Sequence, residues 1–539
     1  MASTIWAAIG LAALIAYLIY KSTTTTTTPR LPLPPGPKPL PFLGNIRDLP
    51  PPGTVEWSHW ASHKSKYGGI SSITVLGTTM ILIHDKTIAH DLLDTQSLKT
   101  SGRPSMVMLS KLCGYENLVL CQGYNSSLRR CRKFLYKELG TKGAVKNFRG
   151  VMEVEVGRQL VRTLKEPDGW LRHVHTTGGA IVMKSTYGYT ISPHTPDRMV
   201  KANNQMMSEF SLASTPGTWA PDIIPALQYL PTWTPGFAFH KMARKWRKTV
   251  QSVAVIPYRF VQRQMAEGVY RESYVSRLIT QLQDESKSKG GILNEEDEKA
   301  IIWTGVTLYG AAADTTALTL TAFTAAMIFF PSVQRKAQDE INRVVGNCRL
   351  PNFDDRDNLP YINAMVKEAL RWWPVAPMGF PHTATDDIEY NGMLIPKDSL
   401  LVPAVWHFTH DPKIYVDPEV FDPERFFSPR NEPDPETEVW GYGRRACAGR
   451  VFADANLYLN IVQTLAVFSF KKAFDEDGGE VDVDIKLKPG VLGYPTEFAY
   501  RVEPRSQRHV ELVREFEAKI PWEEGDEGLL ESMDDFEPF

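Results

Sequence analysis

The sequence WGYGRRACAG at residues 440–449 stands immediately before an apolar run of helical character. Its cysteine, Cys447, falls where a loop meets the start of a helix, so free backbone N–H groups and the positive helix end can stabilise a thiolate. Gly443 permits a tight turn, and Gly449 lets the helix lie close to a flat macrocycle. Arg445 is placed to pair with a haem propionate. A thiolate is one of the side chains that can serve as the axial ligand of haem iron.

Two other interpretations of this stretch compete. A free cysteine is most often a small hydrophobic core residue, so Cys447 could be structural. Residues 441–446 also fit the dinucleotide-binding pattern GxGxxA. That pattern requires a preceding strand, whereas the residues upstream, NEPDPETEV, indicate a polar loop broken by prolines.

The composition limits the classes of protein to which this chain can belong. Its 539 residues are 43% hydrophobic and 23% charged, and 60 basic against 62 acidic side chains leave a net charge of −2. A nucleic-acid binder would show a basic excess, so no nucleic-acid partner is expected. Five cysteines are few and odd in number. This excludes a disulfide-stapled secreted scaffold and favours a reducing compartment.

The N-terminal region is expected to attach the protein to a membrane. Residues 1–21 are predicted to form a transmembrane anchor, because IWAAIGLAALIAYLIY at residues 5–20 contains no charge. A cleaved signal peptide is the alternative, but the basic start that it needs is missing. The first cations follow the span, which predicts a single-pass protein that contacts membrane lipid and whose body faces the cytosol.

Three further regions follow the anchor. Residues 22–53 are rich in Thr and Pro and are predicted to be a semi-rigid linker and hinge, with a Pro-rich ligand for a partner protein as the alternative. Residues 54–520 are expected to be one large domain. Residues 521–539 carry eight acidic side chains and no Lys or Arg, which indicates a solvated acidic tail.

The periodicity of the body predicts a mainly α fold with small β-sheets (α+β). An early hairpin is indicated by SSITVLG at residues 71–77 and TMILIH at 79–84, joined at Gly77-Thr78. A last long helix is expected to begin near Cys447, and short strands around residues 389–396 and after Asp482. Helical periodicity covers residues 125–139, 151–164, 241–267, 295–330 and 361–372.

The cysteine loop resembles that of the cytochrome P-450 superfamily, the haem-thiolate monooxygenases, whose pattern is FxxGxRxCxG. This sequence departs once, with Trp440 in place of Phe, and either ring can shield a thiolate. The resemblance extends over nearly the whole chain from PPGP at residues 34–37. It implies a single large haem domain that binds haem b (iron protoporphyrin IX) with Cys447 as the proximal ligand. The short hinge resembles those of microsomal fungal members, which implies the endoplasmic reticulum membrane.

Two further segments resemble a buried charge network of this family. Glu368 and Arg371 are one helical turn apart, as in the ExxR motif. Arg425, in the segment PERF, resembles the arginine that completes the network. Such networks fix register more than they add stability. The resemblance therefore implies a structural role for all three residues.

The segment GAAADTT at residues 310–316 resembles the family's oxygen-activation motif, AGx(D/E)T. A threonine inside a helix can bond back to a backbone carbonyl and locally open the helix. The resemblance implies that Thr315 helps to deliver a proton to dioxygen and that Asp314 supplies it from solvent. Ala312 stands where the family has glycine, and its methyl group narrows the expected groove. Without the cysteine loop, the segment would be interpreted as a helix-packing face with a surface aspartate.

Two more residues are expected to meet the haem propionates. Asn125 is predicted to cap a helix on which Leu128, Arg132 and Leu135 share one face, so that Arg132 points to the core. The family pattern WxxxR implies that Arg132 meets a propionate, with Leu128 in place of Trp. His382, in the segment GFPH, is implied as a further donor, with a plain loop histidine as the alternative.

The resemblance implies a membrane-anchored enzyme that inserts one oxygen atom from O2 into a hydrophobic small molecule, such as a terpenoid, polyketide or indole of secondary metabolism. No flavin or nicotinamide site is evident, so electrons are expected from NADPH through a separate reductase or a cytochrome b-type donor. A basic helix face is expected to dock that reductase. It consists of Arg129, Arg130, Lys133 and Lys137.

Two alternative functions stay open at this point. A same-fold isomerase or dehydratase would not use O2, and the Asp314–Thr315 pair argues against it. A membrane-tethered haem- or sterol-binding protein would show no turnover. By resemblance, substrate contacts are expected from residues 104–112, 205–213, 303–311, 375–380 and 490–494, which are mostly apolar.

Overall fold

The structure, a computed structural model, describes residues 31–530 except 52, 194, 216–217, 231–237 and 288–290. The predicted anchor at residues 1–21 lies outside these residues, as do most of the Thr-rich stretch and the last nine residues.

Helices make up most of the described chain, which confirms the mainly α prediction. The long helices are α1 (Glu56–Tyr67), α2 (Ser126–Leu139), α3 (Arg149–Lys165), α4 (Trp170–Tyr187), α5 (Arg198–Ala213), α6 (Phe239–Glu267), α7 (Tyr274–Glu285), α8 (Glu295–Phe329), α9 (Pro331–Val344), α10 (Pro360–Trp372), α11 (Arg450–Val467) and α12 (Gln507–Lys519). Shorter α-helices lie at Lys86–Ala89, Ser97–Thr100, Lys142–Val145, Ala220–Ile223, Val405–Thr409 and Glu436–Val439.

Small sheets complete the fold. Four strands form a sheet in the order β1-β2-β6-β3, in which only the β2–β6 pair is parallel. Two further pairs, β4–β5 and β7–β8, are antiparallel. The strands are β1 (Ile70–Val75), β2 (Thr78–Ile83), β3 (His382–Thr383), β4 (Ile388–Tyr390), β5 (Met393–Ile395), β6 (Leu400–Pro403), β7 (Phe468–Lys471) and β8 (Arg501–Pro504).

The first hairpin turns one residue earlier than predicted. Leu76 and Gly77 form the turn, with φ values of 48° and 86°. Positive φ at both central residues is the type I′ geometry, whose twist matches the strands on either side. The pairing of Val75 with Thr78 then sets the register along the whole hairpin.

The central helix α8 positions the site. It is long and apolar enough to cross a membrane, yet 72% of its most apolar window is buried inside the fold, as expected of a core helix. It packs against α2, α4 and α11. The helix also runs through residues 310–316, which bear the expected proton-delivery residues.

The Pro-rich segment from residue 31 onward is not a free spacer. Ser72 on β1 donates from its backbone N–H to Pro35 O at 2.9 Å and from its hydroxyl to Pro34 O at 2.6 Å. Leu394 N–H donates to Pro32 O at 2.8 Å. Because proline cannot donate a hydrogen bond, Pro32, Pro34 and Pro35 bind the sheets through their carbonyls. The ordered body therefore begins well before residue 54.

The first part of the acidic tail also differs from the expectation of a solvated segment. Glu523 accepts from Lys184 at 2.6 Å and from Arg158 at 3.3 Å. Asp526 accepts from Arg271 at 2.6 Å and from the Thr190 N–H at 2.7 Å. The cations belong to helices α3 and α4 and to the loop before α7. Residues 521–530 are thus held against the body by cations that are more than two hundred residues away in the sequence.

Candidate functional site

The cysteine loop is built as a tight turn that leads into α11. Gly441 and Gly443 have φ values of 75° and 50°, a region that L side chains rarely adopt. A Cβ on Gly443 would meet Leu93 O and lie 2.7 Å from Ser97 Cβ. Glycine is therefore required at residue 443, as the sequence indicated. The turn closes when the Cys447 N–H donates to the carbonyl of Trp440 at 2.7 Å.

Side chains from a distant segment brace this loop. Asp94 accepts from the Gly443 N–H and from His90 Nδ1. The other nitrogen of His90 lies 3.1 Å from Glu438, which also accepts from the Tyr442 hydroxyl at 2.7 Å. Although burial opposes the charge, the two carboxylates raise the pKa of His90 above its ordinary value. His90, Asp94 and Glu438 therefore hold the cysteine loop in place through a charged hydrogen-bond network.

The thiol of Cys447 faces an interior space. The residue is exposed, yet so much protein surrounds it that burial raises the pKa of the thiol. The Gly449 N–H and the charges of Arg132 and Arg450 act in the opposite direction. Ala311, in the middle of the core helix α8, is likewise exposed. Since α8 packs against α11, exposure at both places indicates an interior space between the loop and the helix. A Cβ on Gly449 would lie 4.0 Å from the sulfur, an ordinary contact.

Three arginines close to this space carry charges that no carboxylate balances. Arg132 donates to Ala446 O at 2.9 Å, and Arg445 donates to Ser101 O at 2.8 Å. Arg103 donates to Phe380 O at 2.8 Å, and its buried Nε has no partner among the residues that the structure describes. Among the ion pairs of the described residues, none includes any of the three. Burial and mutual repulsion lower the pKa of Arg103 to about 9 and that of Arg445 to about 10.

This arrangement fits an anionic prosthetic group. Three guanidinium groups lie close together beside the interior space and repel one another. Their burial is unfavourable unless an anion compensates the positive charge. The two propionates of haem would supply that negative charge, and the sulfur of Cys447 could serve as an axial ligand of its iron. Arg103 was missed by sequence reasoning, because no periodicity shows where a loop side chain points.

His382 differs from the donor that was expected. Its Nδ1 lies 2.8 Å from Thr100 O. A carbonyl only accepts, so Nδ1 carries the proton, and in the neutral ring Nε2 offers a lone pair. Burial, Arg103 and Arg445 lower the pKa of His382 to about 3. His382 can therefore donate to a propionate only after a negative charge nearby has restored its second proton.

In the segment at residues 310–316, Thr315 has the predicted hydrogen bond. The Thr315 hydroxyl donates to Ala311 O at 2.8 Å, one turn earlier in α8. Asp314 is half-buried, and burial raises its pKa. The Tyr494 hydroxyl donates to Asp314 Oδ2 at 3.1 Å. Tyr494 was expected to contact substrate, and its bond to Asp314 is a second feature that sequence reasoning missed.

The predicted charge network is present and completely buried. Glu368 Oε1 accepts from Arg371 at 2.9 Å and from Arg425 at 3.0 Å, and all three side chains are 0% exposed. The network also includes Glu432, which lies 2.5 Å from Arg425. It joins α10 to the irregular chain before the cysteine loop, so its role is structural.

The basic face of α2 is only partly free. As predicted, Asn125 caps α2 by accepting from the Leu128 N–H at 2.9 Å. Leu128 and Leu135 are buried and Lys133 is exposed. Arg130, however, is paired with Glu296 at 2.5 Å and Asp297 at 3.5 Å on α8. That ion pair removes one of the four expected cations from the surface available to a partner.

Comparison with known proteins agrees with this site. Residues 34–492 match the family model described as Cytochrome P450. Multifunctional cytochrome P450 monooxygenase af510 of Aspergillus fumigatus is 44% identical over 511 residues, which cover 95% of this chain and 95% of that relative. Cytochrome P450 monooxygenase CLM2 of Gibberella zeae is 44% identical over 502 residues, or 93% and 94% of the two chains. O-methylsterigmatocystin oxidoreductase of Aspergillus flavus is 36% identical over 517 residues, or 95% and 96%.

The family model covers most of the chain, and the relatives align over nearly its full length. The cysteine loop, the buried Glu368–Arg371–Arg425 network and the threonine on the core helix lie within the matched region. The chain belongs to the cytochrome P450 family and is a haem-binding monooxygenase, an oxidoreductase.

Proposed function

We propose that this cytochrome P450 uses haem b, O2 and electrons from NADPH to oxygenate a hydrophobic small molecule of secondary metabolism. The electrons arrive through a separate membrane-bound reductase. The enzyme is attached to the endoplasmic reticulum by residues 1–21, with its haem domain in the cytosol. The observation that carries the proposal is the set of three uncompensated arginines beside an exposed thiol at the base of an interior space.

Each of these residues has a definite task. Cys447 ligates the iron, and the Gly449 N–H and the charges of Arg132 and Arg450 favour its thiolate. Arg103, Arg132 and Arg445 hold the propionates. The bound haem supplies the redox chemistry that activates dioxygen, and the protein sets the ligand, the proton path and the pocket. Thr315 holds its hydroxyl near the exposed Ala311, where it can move a proton. An isomerase or dehydratase would not need that proton path.

The pocket favours a ligand that is apolar with a polar edge. The five segments expected to contact substrate all contribute to one hydrophobic cluster, which includes Met108, Phe210, Leu308, Val375 and Leu492. Two buried acceptors in α5, Asn203 Oδ1 and Glu209 Oε2, have no donor within the described part of the chain. A terpenoid or polyketide hydroxyl or an indole N–H would satisfy them. The relative named for O-methylsterigmatocystin supports a small-molecule substrate of this kind.

The surface near the predicted anchor supports membrane attachment. Phe42, Leu43 and Leu76 are 70%, 47% and 45% exposed. They adjoin one another, because the Leu76 N–H donates to Leu43 O. Exposed apolar residues grouped in this way mark a surface that contacts another apolar phase. The patch lies at the N-terminal end of the described chain, where the anchor would enter the bilayer.

The ligand is tested by replacing Cys447 with serine in the full chain. A serine oxygen cannot supply a thiolate, so the thiolate-type carbon-monoxide difference spectrum should disappear while the far-UV circular dichroism persists. Cys348→Ser is the matched control, because Cys348 is also exposed but lies far from the loop. Retention of the spectrum in Cys447→Ser would overturn the assignment.

The reaction is tested with the wild-type holoenzyme and a purified NADPH–cytochrome P450 reductase. Compounds that shift the Soret band are selected from a panel of terpenoids, polyketides and indoles. Consumption of NADPH and O2 with an oxygenated product supports the proposal. Turnover of a binder without O2 would indicate an isomerase or dehydratase, and binding without any turnover would indicate a haem- or sterol-binding protein.

A further inference from the structure

The packing of α4 on α8 brings His175 close to Asp314. The two helices approach closely at Gly178, where a Cβ would lie only 3.0 Å from Ala313 O and 3.4 Å from Ala313 Cα. His175 precedes Gly178 by three residues, so it lies one turn away on the same face of α4. Asp314 follows Ala313 directly. The two side chains therefore share the groove between the helices.

Their charges interact in this groove. Although burial lowers the pKa of His175, the carboxylate of Asp314 raises it. The pKa of Asp314 is raised by burial and lowered by His175 and by the Tyr494 hydrogen bond. No direct hydrogen bond joins the imidazole to the carboxylate among the described residues. We therefore expect a water molecule to connect them.

His175 is the member of this group that reaches water. The residue is exposed, although enough protein surrounds the ring to lower its pKa, whereas Asp314 and Thr315 are half-buried. The other titratable groups that face Asp314 are Tyr494 and, on α8 itself, Tyr309, and the pKa of each lies well above its ordinary value because of burial. Neither tyrosine titrates near neutral pH. His175 is therefore the group through which solvent protons can reach Asp314.

We propose that His175 is a positioning residue that relays protons from solvent to Asp314. The imidazolium gives one proton to the Asp314 carboxylate through the bridging water, becomes neutral and regains a proton from bulk water. Asp314 then passes the proton toward Thr315, and no electrons are transferred in either step. The inference rests on the proposed function, because only a reaction that consumes protons on this side of the haem needs a relay.

The first test measures the pair itself, without turnover. In the holoenzyme, the rate at which diethyl pyrocarbonate modifies His175 is followed by peptide mass spectrometry as a function of pH. The midpoint should fall to lower pH in Asp314→Asn, because the amide no longer favours the imidazolium. An unchanged midpoint would show that the two groups do not interact and would overturn the proposal.

The second test measures proton delivery. NADPH oxidation by the holoenzyme with purified reductase is compared in H2O and D2O. In His175→Gln we expect oxidation to slow by roughly tenfold and the solvent isotope effect to increase. The loss is smaller than the 10²-fold or more typical of a group that acts on the reacting atoms, because water can still reach Asp314. Arg172→Gln is the control, since Arg172 is exposed on the same helix and pairs with Glu166.

The two proposals fail in different ways. If the wild-type holoenzyme does not oxidise NADPH in the presence of O2, the proposed function fails. If the wild type turns over, His175→Gln keeps its carbon-monoxide spectrum, and both its rate and its isotope effect equal those of the wild type, the relay through His175 is excluded and the function stands.

Discussion

Gly443 shows how one residue limits the shape of the cysteine loop. Its positive φ and its contact with the Leu93–Ser97 segment are separate constraints. Gly443→Ala should therefore cost both the strain of a left-handed residue, about 1–2 kcal/mol, and an overpacking term of about 1–3 kcal/mol. The free energy of unfolding and the fraction of chains that retain haem should both fall.

A substitution at the neighbouring glycine, Gly441, measures the conformational strain without the overpacking. Gly441 has a similar φ of 75°, but a Cβ there would meet its closest atom at 3.8 Å. Gly441→Ala should show the conformational strain alone. Equal losses of unfolding free energy in the two variants would mean that the contact with Leu93 and Ser97 is unimportant.

At the same scale, the sequence identified residues whose role is local. Asn125, Gly443 and Thr315 have the predicted geometry because each acts on backbone groups within a few residues or in a tight turn. Arg103 and the tautomer of His382 could not be predicted, since both depend on loops that meet only in the folded protein. Tyr494 was placed near the pocket by resemblance, but its bond to Asp314 depends on a tertiary contact.

The buried charge network connects helix α10 to the irregular chain that contains Arg425. Glu368 is the only carboxylate that contacts both Arg371 and Arg425 in the described structure. Glu368→Gln would leave two buried guanidinium groups with reduced compensation. We expect a loss of about 3–5 kcal/mol in the free energy of unfolding, measured by chemical denaturation.

A surface pair next to the network provides the control. Glu424 lies 2.6 Å from Lys336, and both side chains are about half exposed, at 50% and 53%. Glu424→Gln should cost no more than about 1 kcal/mol, because solvent screens the pair. A loss in Glu368→Gln as small as this would show that the buried network does not stabilise the fold.

Several helices with one polar face were predicted with accurate bounds, but other helices were missed. α2, α3 and α6 are amphipathic, and their predicted bounds agree with the structure within two residues. α4 contains Gly178-Gly179 and is buried over most of its length, so its periodicity is weak. The close packing of α4 on α8 that places His175 therefore could not be inferred from pattern alone. α9 and α12, which are amphipathic, were overlooked.

At the scale of the whole molecule, buried histidines couple stability to pH. Burial, as the largest cause, lowers the pKa of His84, His382 and His410 to about 3. The unfolded chain binds protons at these residues below about pH 6.5, whereas the folded chain does not. Stability is therefore complete above pH 6.5 and falls as the pH drops toward 3, by about 1.4 kcal/mol per pH unit for each histidine.

His84→Gln tests this dependence away from the haem site. His84 is 0% exposed and bonds Ser71, so the variant should be less stable at pH 7. The slope of unfolding free energy against pH between 6 and 4.5 should nevertheless decrease by about 1.4 kcal/mol per unit, since one proton uptake is lost. An unchanged slope would show that His84 titrates normally in the folded protein.

The charge of the molecular surface is expected to guide the reductase. With Arg130 paired to α8, the exposed cations of the docking face are Arg129, Lys133 and Lys137. Reversing Lys133 and Lys137 to Glu should slow reduction by the reductase about tenfold and weaken its dependence on salt. Stopped-flow reduction under carbon monoxide measures both, while substrate-induced Soret shifts should persist.

Lys471→Glu with Lys472→Glu is the matched control, because it changes the net charge equally at a distant strand. If the Lys133/Lys137 variant reduced as fast as the wild type and with the same salt dependence, the reductase would have to dock elsewhere, for instance near Arg444 and Arg450.

The docked acidic segment at residues 521–530 has a consequence for biosynthesis. Its partners, Arg158, Lys184 and Arg271, leave the ribosome hundreds of residues before Glu523 and Asp526 do. Until residues 521–530 have left the ribosome, these cations have no acidic segment to bind. The haem domain can therefore reach its final packing only after that point of synthesis, and a stop codon before residue 521 would leave Arg158, Lys184 and Arg271 without these partners.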